Sequence, residues 1–158
     1  MNMFILNIAL AVIWAALWGS PTLLMLGSGY VLGFLTLWFA APVFGLQDSY
    51  FLRSWRIVRL ILFFLYELVM SSIRVAWDVM TPNDNSTPAI LDMPLDVTSD
   101  FEILLVTNLI SLTPGTLSLD VSDDRKTLTF HAMYADDPQA VIDDLKNGME
   151  RLVREVFE

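Results

Sequence analysis

Polarity is distributed along the chain in three regimes. From Met1 to Gln47 no residue is charged. Met3–Trp18 is one apolar run, broken by Gly19-Ser20-Pro21, and Thr22–Phe44 is a second, closing around Pro42 and Gly45. Crossing the hydrocarbon core takes about 20 apolar helical residues, in a range of about 17–25. The second run meets that length, and the first meets it once its flanks join in. The pattern predicts two membrane helices, about 3–19 and 22–44, forming a hairpin. The first run has no basic n-region, and Ala15-Ala16-Leu17-Trp18-Gly19 makes a poor cleavage site, so a retained anchor is expected rather than a signal peptide.

The second regime, residues 53–80, is amphipathic. Arg56, Arg59, Glu67, Ser71, Arg74 and Asp78 recur at a spacing near 3.6 and share one stripe of a helix whose other faces carry Ile, Leu, Phe, Val, Met and Trp. This helix fits a membrane span with its stripe turned to protein partners. It also fits an interfacial helix with the stripe in water, and, least well, a soluble amphipathic helix. Arg53, Arg56 and Arg59 follow the second apolar run. The positive-inside rule puts them in the cytoplasm, together with the C-terminal domain if the third helix is interfacial. If the helix spans, that domain lies outside. The cytoplasmic placement is expected.

Residues 81–88 form a polar linker with two prolines, and alternating patterns follow. Ala89–Val97 reads as a strand. Ser99 and Glu102 make a capping box opening a helix to about Leu112. Leu117–Val121 and Thr127–Tyr134 read as a hairpin turning around Asp123-Asp124. Asp137 caps a final helix with Pro138 at its first position and Val141, Ile142, Leu145, Met149, Leu152, Val153 and Val156 as its apolar stripe. The expected fold is therefore a membrane α-helical hairpin plus an amphipathic third helix, followed by a small α+β domain (residues 89–158) of order β-α-β-β-α, a ferredoxin-like half.

Charge sharpens this picture. Residues 53–80 carry four Arg against Glu67 and Asp78, whereas residues 81–158 carry five basic against fifteen acidic side chains, and the whole chain stands at −9. An acidic soluble part argues against a nucleic-acid partner, which needs clustered Lys and Arg. The chain has no cysteine and one histidine, which removes disulfides, thiol nucleophiles, zinc–thiolate sites and multi-histidine metal sites.

The remaining candidates each have a plain structural reading. Glu67 sits near the middle of a mostly apolar helix, where a carboxylate implies a partner, water or proton exchange. Arg74 lies seven residues on along the same face, and Asp78 is its i,i+4 neighbour, so these three are candidates for an ion path or for interhelix charge contacts. The alternative is a polar stripe that is merely solvated or paired with a neighbouring subunit. Gly29 and Gly33 form a G-x-x-x-G pattern suited to close helix packing, alongside a row of Ala11, Ala15 and Gly19. Thr113-Pro114-Gly115-Thr116 fits a type II turn better than a backbone anion nest. His131 lies on the polar face of its strand with no nucleophile pattern around it. The acidic pairs at 123–124, 136–137 and 143–144 have no calcium-loop spacing, and no Walker or dinucleotide motif occurs. No metal, no cofactor and no enzymatic activity are expected.

Asn108–Val121, which contains Thr113-Pro114-Gly115-Thr116, followed by Leu128-Thr129-Phe130-His131 and Asp136-Asp137-Pro138, closely resembles the E subunit of Mrp-type multisubunit sodium/proton antiporters. The hairpin, the arginine-bearing third helix and the chain length match that family as well. The resemblance implies a bacterial inner-membrane complex that exchanges cytoplasmic Na⁺ for external protons, with the ion paths in large subunits related to respiratory complex I. This chain would be an accessory subunit, with the other antiporter subunits and the lipid bilayer as its partners. The resemblance carries over no catalytic residue. A free-standing membrane-anchored module presenting its α+β domain to a soluble partner is the alternative.

Overall fold

A computed structural model describes residues 3–19, 21–44, 49–82 and 86–158. Its elements are α1 (Met3–Leu17), α2 (Leu23–Phe44), α3 (Ser49–Met80), β1 (Ala89–Pro94), α4 (Asp100–Leu112), β2 (Thr116–Val121), β3 (Thr127–Ala132), α5 (Pro138–Leu145), a π-helical turn (Lys146–Glu150) and α6 (Arg151–Phe157). Two compact units result, residues 1–54 and 55–158, with the boundary inside α3. Ser20 and Gly45, which the sequence reading places at breaks, lie outside the described residues, as do Asn83, Asp84 and Asn85 of the linker.

In the first unit α1 and α2 pack as a pair along the row of small residues. Ala11 and Ala15 are buried, and a Cβ on Gly29 would stand 2.9 Å from the Ala11 carbonyl oxygen and from Trp14 Cβ. Most of the large apolar side chains face outward instead, including Ile5, Val12, Leu24 and Phe39. Leu23–Pro42 and Tyr50–Met80 are both long and apolar enough to cross a membrane. Helix α3 begins at Ser49, four residues before the amphipathic segment expected from residue 53, and Tyr50 and Phe51 pack against the apolar cluster of Met3, Leu37 and Ala41.

The second unit holds a three-stranded antiparallel sheet of order β1-β3-β2, with β3 in the centre. Alternation along β3 sends Leu128, Phe130 and Ala132 into the core, where they meet Met93, Val97, Val106, Ile110 and Val153. Thr127, Thr129 and His131 take the opposite face, on which Ile90 and Leu117 flank His131 in register. The capping box at the start of α4 forms in both directions, Ser99 accepting from the Glu102 amide and Glu102 from the Ser99 amide.

Two strands end earlier than their patterns suggest. β1 stops at Pro94 because the amides of Asp96 and Val97 donate to the buried Glu150 carboxylate, at 2.6 and 3.1 Å, instead of to a neighbouring strand. β3 stops at Ala132; the Met133 amide still donates to the Gly115 carbonyl oxygen at 2.7 Å, and Tyr134 forms only an isolated bridge to Thr87. The expected single final helix carries a π turn at Lys146–Glu150, which widens it where Phe63 of α3 approaches Gly148.

Candidate functional site

The polar stripe of α3 faces the chain's own α+β domain. At about 100° per residue, all six charged residues of the helix (Arg53, Arg56, Arg59, Glu67, Arg74 and Asp78) fall within roughly a third of its circumference. Arg56 donates to the Glu155 carbonyl oxygen at 2.6 Å, and Arg59 pairs with the Glu155 carboxylate at 3.0 Å. One turn on, Leu60 is buried in the domain core and Phe63 and Phe64 pack on it. A Cβ on Gly148 would come within 2.8 Å of the Phe63 ring tip, so the ring packs directly on this glycine.

At the far end of the seam, Arg74 lies over the ring of Tyr134 with its guanidinium carbon 5.8 Å from the centroid, and the Tyr134 hydroxyl donates to Asp78 at 3.3 Å. Arg74 and Asp78 therefore meet at Tyr134. Glu67 lies between these two anchor points, half-buried, and its carboxylate makes no hydrogen bond or ion pair among the described residues. The electrostatic part of the seam is modest, because the Arg59 side chain is 47% exposed and an exposed pair contributes about 0–1 kcal/mol. The apolar insertion of Leu60, Phe63 and Phe64 contributes more, at about 1.5–3 kcal/mol for each side chain fully buried.

Thr113-Pro114-Gly115-Thr116 forms the corner between α4 and β2. Gly115 has φ +94°, and the Thr116 amide donates to the Thr113 carbonyl oxygen at 3.2 Å, with Pro114 and Gly115 at the central turn positions. The two threonine hydroxyls close the helix end: Thr113 donates to the Leu109 carbonyl oxygen and Thr116 to that of Ile110. These side chains satisfy backbone groups and hold the turn. His131 stands apart from this corner on the outer sheet face, so the motif residues do not converge on one chemical centre. No group of His, Asp and Glu that could hold a metal ion occurs among the described residues.

Sequence reasoning passed over a polar clamp in the hairpin. Asn7 is fully buried and donates to the Tyr50 hydroxyl at 2.9 Å, and that hydroxyl lies 3.1 Å from the Tyr30 hydroxyl. The Asn7 amide oxygen has no hydrogen-bond partner among the described residues and occupies the space that a Cβ on Gly33 would take. Gly33 thus makes room for a polar side chain, whereas Gly29 makes room for the α1 backbone. The signal was present: Asn7 is the single amide in the apolar run Met3–Trp18. Glu150 was missed as well, and nothing local in the sequence ties it to the amides 53 and 54 residues away.

The fold is thus an apolar helical pair followed by a small α+β domain held on an amphipathic helix. The family described as Na+/H+ ion antiporter subunit matches residues 7–156, and the chain belongs to that family. It is 39% identical over 152 residues to the E subunit of the Na(+)/H(+) antiporter of Alkalihalophilus pseudofirmus, covering 96% of both chains. Among solved structures, a chain of the membrane-bound sulfane sulfur reductase, an archaeal respiratory membrane complex, shares the fold over 99% of this chain and 100% of that one, with TM-score 0.56 and 22% identity. A chain of the Mrp complex from Dietzia sp. DQ12-45-1b matches 63% of this chain and 94% of that one at TM-score 0.48 and 28% identity. Family membership makes this a component of ion transport by antiport, and its apolar helices fit a membrane location.

Proposed function

We propose that the chain is an accessory subunit of a multisubunit Na⁺/H⁺ antiporter, supporting assembly and activity while other subunits carry the main ion path. The observation that carries this reading is how the charged stripe of α3 is used. Arg56, Arg59, Arg74 and Asp78 fix the α+β domain to the helix, and relatives of the same length are E subunits of Na(+)/H(+) antiporters. Side chains spent on an internal seam are poorly placed to form a conduit. In this reading the hairpin packs against helices of other subunits through its outward apolar faces, and the domain docks on the cytoplasmic side, where Arg53, Arg56 and Arg59 favour its retention.

The test is Na⁺-dependent proton exchange in vesicles carrying the assembled complex, with subunit stoichiometry measured in parallel. Replacing residues 1–44 by an unrelated membrane hairpin leaves the α3 seam intact. The accessory reading expects the other subunits to be lost from the purified complex and exchange to fall. Full exchange with the foreign hairpin would instead support a free-standing anchored module. For Glu67→Gln the expectation is normal assembly and normal exchange. Normal assembly with lost or pH-shifted exchange would move Glu67 into the transport machinery and overturn the accessory assignment.

A further inference from the structure

We infer that α3 does not cross the bilayer but lies in the plane of its surface, with the stripe Val58, Leu62, Leu65, Val69, Ile73 and Met80 seated among lipid acyl chains and the α+β domain riding on its back. By length and composition Tyr50–Met80 passes as a span. The seam rules that out. Domain contacts begin at Arg56 and end at Asp78, which is 22 residues, or about 33 Å at 1.5 Å per residue. The hydrocarbon core is about 30 Å thick. A crossing α3 would draw the attached domain into hydrocarbon along its whole length. That domain exposes Asp123, Asp124, Asp136, Asp137, Asp143 and Asp144, and ionised carboxylates are strongly disfavoured there.

The face opposite the seam has the character of a lipid-facing surface. Its six stripe residues recur every three or four positions, apart from the one longer step from Ile73 to Met80, and are 45–83% exposed. No charged residue of α3 falls on that side. The chain also delivers this face to the membrane. α2 ends at Phe44 and α3 opens at Ser49, so five Cα steps of about 3.8 Å bound the gap between them. If α2 crosses, α3 starts where α2 leaves the bilayer. Arg53, Arg56 and Arg59 then sit at headgroup level, and an amphipathic helix of this kind buries its apolar face about 5–10 Å below the headgroup boundary.

This inference rests on the insertion of the α1–α2 hairpin and is independent of which ion the complex moves. The chain has no cysteine, so single cysteines can be introduced at Val58, Leu62, Val69 and Ile73 and spin-labelled in the full chain. The labelled chain is then reconstituted in vesicles of phosphatidylethanolamine and phosphatidylglycerol. A label at Leu32, near the middle of α2, reports the hairpin.

Label depth is read from the relative accessibility to oxygen and to a water-soluble nickel chelate. An in-plane α3 puts all four labels at one shallow depth, within about 5 Å of each other, while Leu32 reads deep. A crossing helix would spread Val58 to Ile73 over about 22 Å at 1.5 Å per residue, and that gradient would overturn the inference. Water-exposed labels on the stripe with Leu32 deep would overturn it too, marking the stripe as a seat for another subunit. A shallow Leu32 would instead refute the inserted hairpin, which separates that failure from the other two. The same four labels in the assembled complex are expected to keep their depth.

Discussion

Glu150 is the residue whose removal the fold should tolerate least. Its side chain is 2% exposed, yet it carries a carboxylate. One oxygen accepts from the amides of Asp96 and Val97, and the other lies 3.2 Å from Lys146 Nζ, which also reaches the Pro94 carbonyl oxygen and Asp96. Glu150→Ala strips the acceptor from two amides, that of Val97 buried and that of Asp96 partly so. Each costs about 1–3 kcal/mol when left unmade. Breaking a buried charge pair from one side costs about 3–5 kcal/mol. Partial relief comes from Lys146, which keeps Asp96, so the expected loss is about 3–5 kcal/mol. Glu150→Gln retains one carbonyl acceptor for the amides but replaces the oxygen facing Lys146 by an NH₂ donor, for about 1–2 kcal/mol. Pulse proteolysis of the full chain in mild detergent across a urea series reads the unfolding of the residue 55–158 unit. With a urea slope of about 1–3 kcal/mol/M, the alanine midpoint falls by roughly 1–5 M and the glutamine midpoint by less than half of that. An alanine midpoint within about 0.5 M of the parent, or a glutamine variant no better than alanine, would refute this role for Glu150.

The remaining predictions concern other regions. Gly33→Leu drives a side chain into the space held by the Asn7 amide and is expected to destabilise the helix pair by about 1–3 kcal/mol, seen as an earlier thermal aggregation midpoint in detergent. An unchanged midpoint would show that α1 and α2 do not need this close contact. At the β2–β3 turn, Asp124 accepts from the Ser122 hydroxyl and the Lys126 amide, with the serine as the stronger cause, and its pKa lies below the ordinary 3.8. A depressed carboxylate contributes stability above its unfolded value and loses it as pH falls through the folded one. Ser122→Ala should therefore raise the Asp124 midpoint toward 3.8 in a carboxyl NMR titration, and a midpoint unmoved by the substitution would contradict the assignment.

Much of the soluble domain was legible because its signals are local. Ser99 and Glu102 announce a capping box from three residues apart, Asp137-Pro138 announces a helix start, and the alternation from Leu128 to Ala132 shows which side of β3 is buried. The errors fall where a distant residue decides. Ala89–Val97 reads as one strand, but the amides of Asp96 and Val97 are claimed by Glu150 from another element. The last helix reads as regular because periodicity carries no mark of a π turn, and the ring that fits beside Gly148 comes from Phe63, 85 positions earlier. In the hairpin, small-residue spacing brings Gly29 and Gly33 into view but not what fills the room they leave. At Gly29 that filler is the α1 backbone at Ala11, and at Gly33 it is Asn7, whose hydroxyl partner Tyr50 belongs to a third helix.

The same distinction governs the charged stripe of α3. A helix with six charged residues still resembles a membrane span because its stretch Leu60–Trp77 carries only Glu67 and Arg74, yet all six charges occupy about a third of one circumference. Once that third is matched against the chain's own domain, Arg56, Arg59, Arg74 and Asp78 need neither water nor a foreign subunit to satisfy them. Its residues then differ in kind. Arg56 and Arg59 are committed at Glu155, and Arg74 and Asp78 at Tyr134. Glu67 lies about midway between these anchors, seven residues before Arg74 and eight after Arg59, with no carboxylate partner among the described residues. A seam that needs only anchoring has no use for a carboxylate at its centre. Glu67 is for that reason the position where exchange kinetics and domain anchoring can be separated by one substitution.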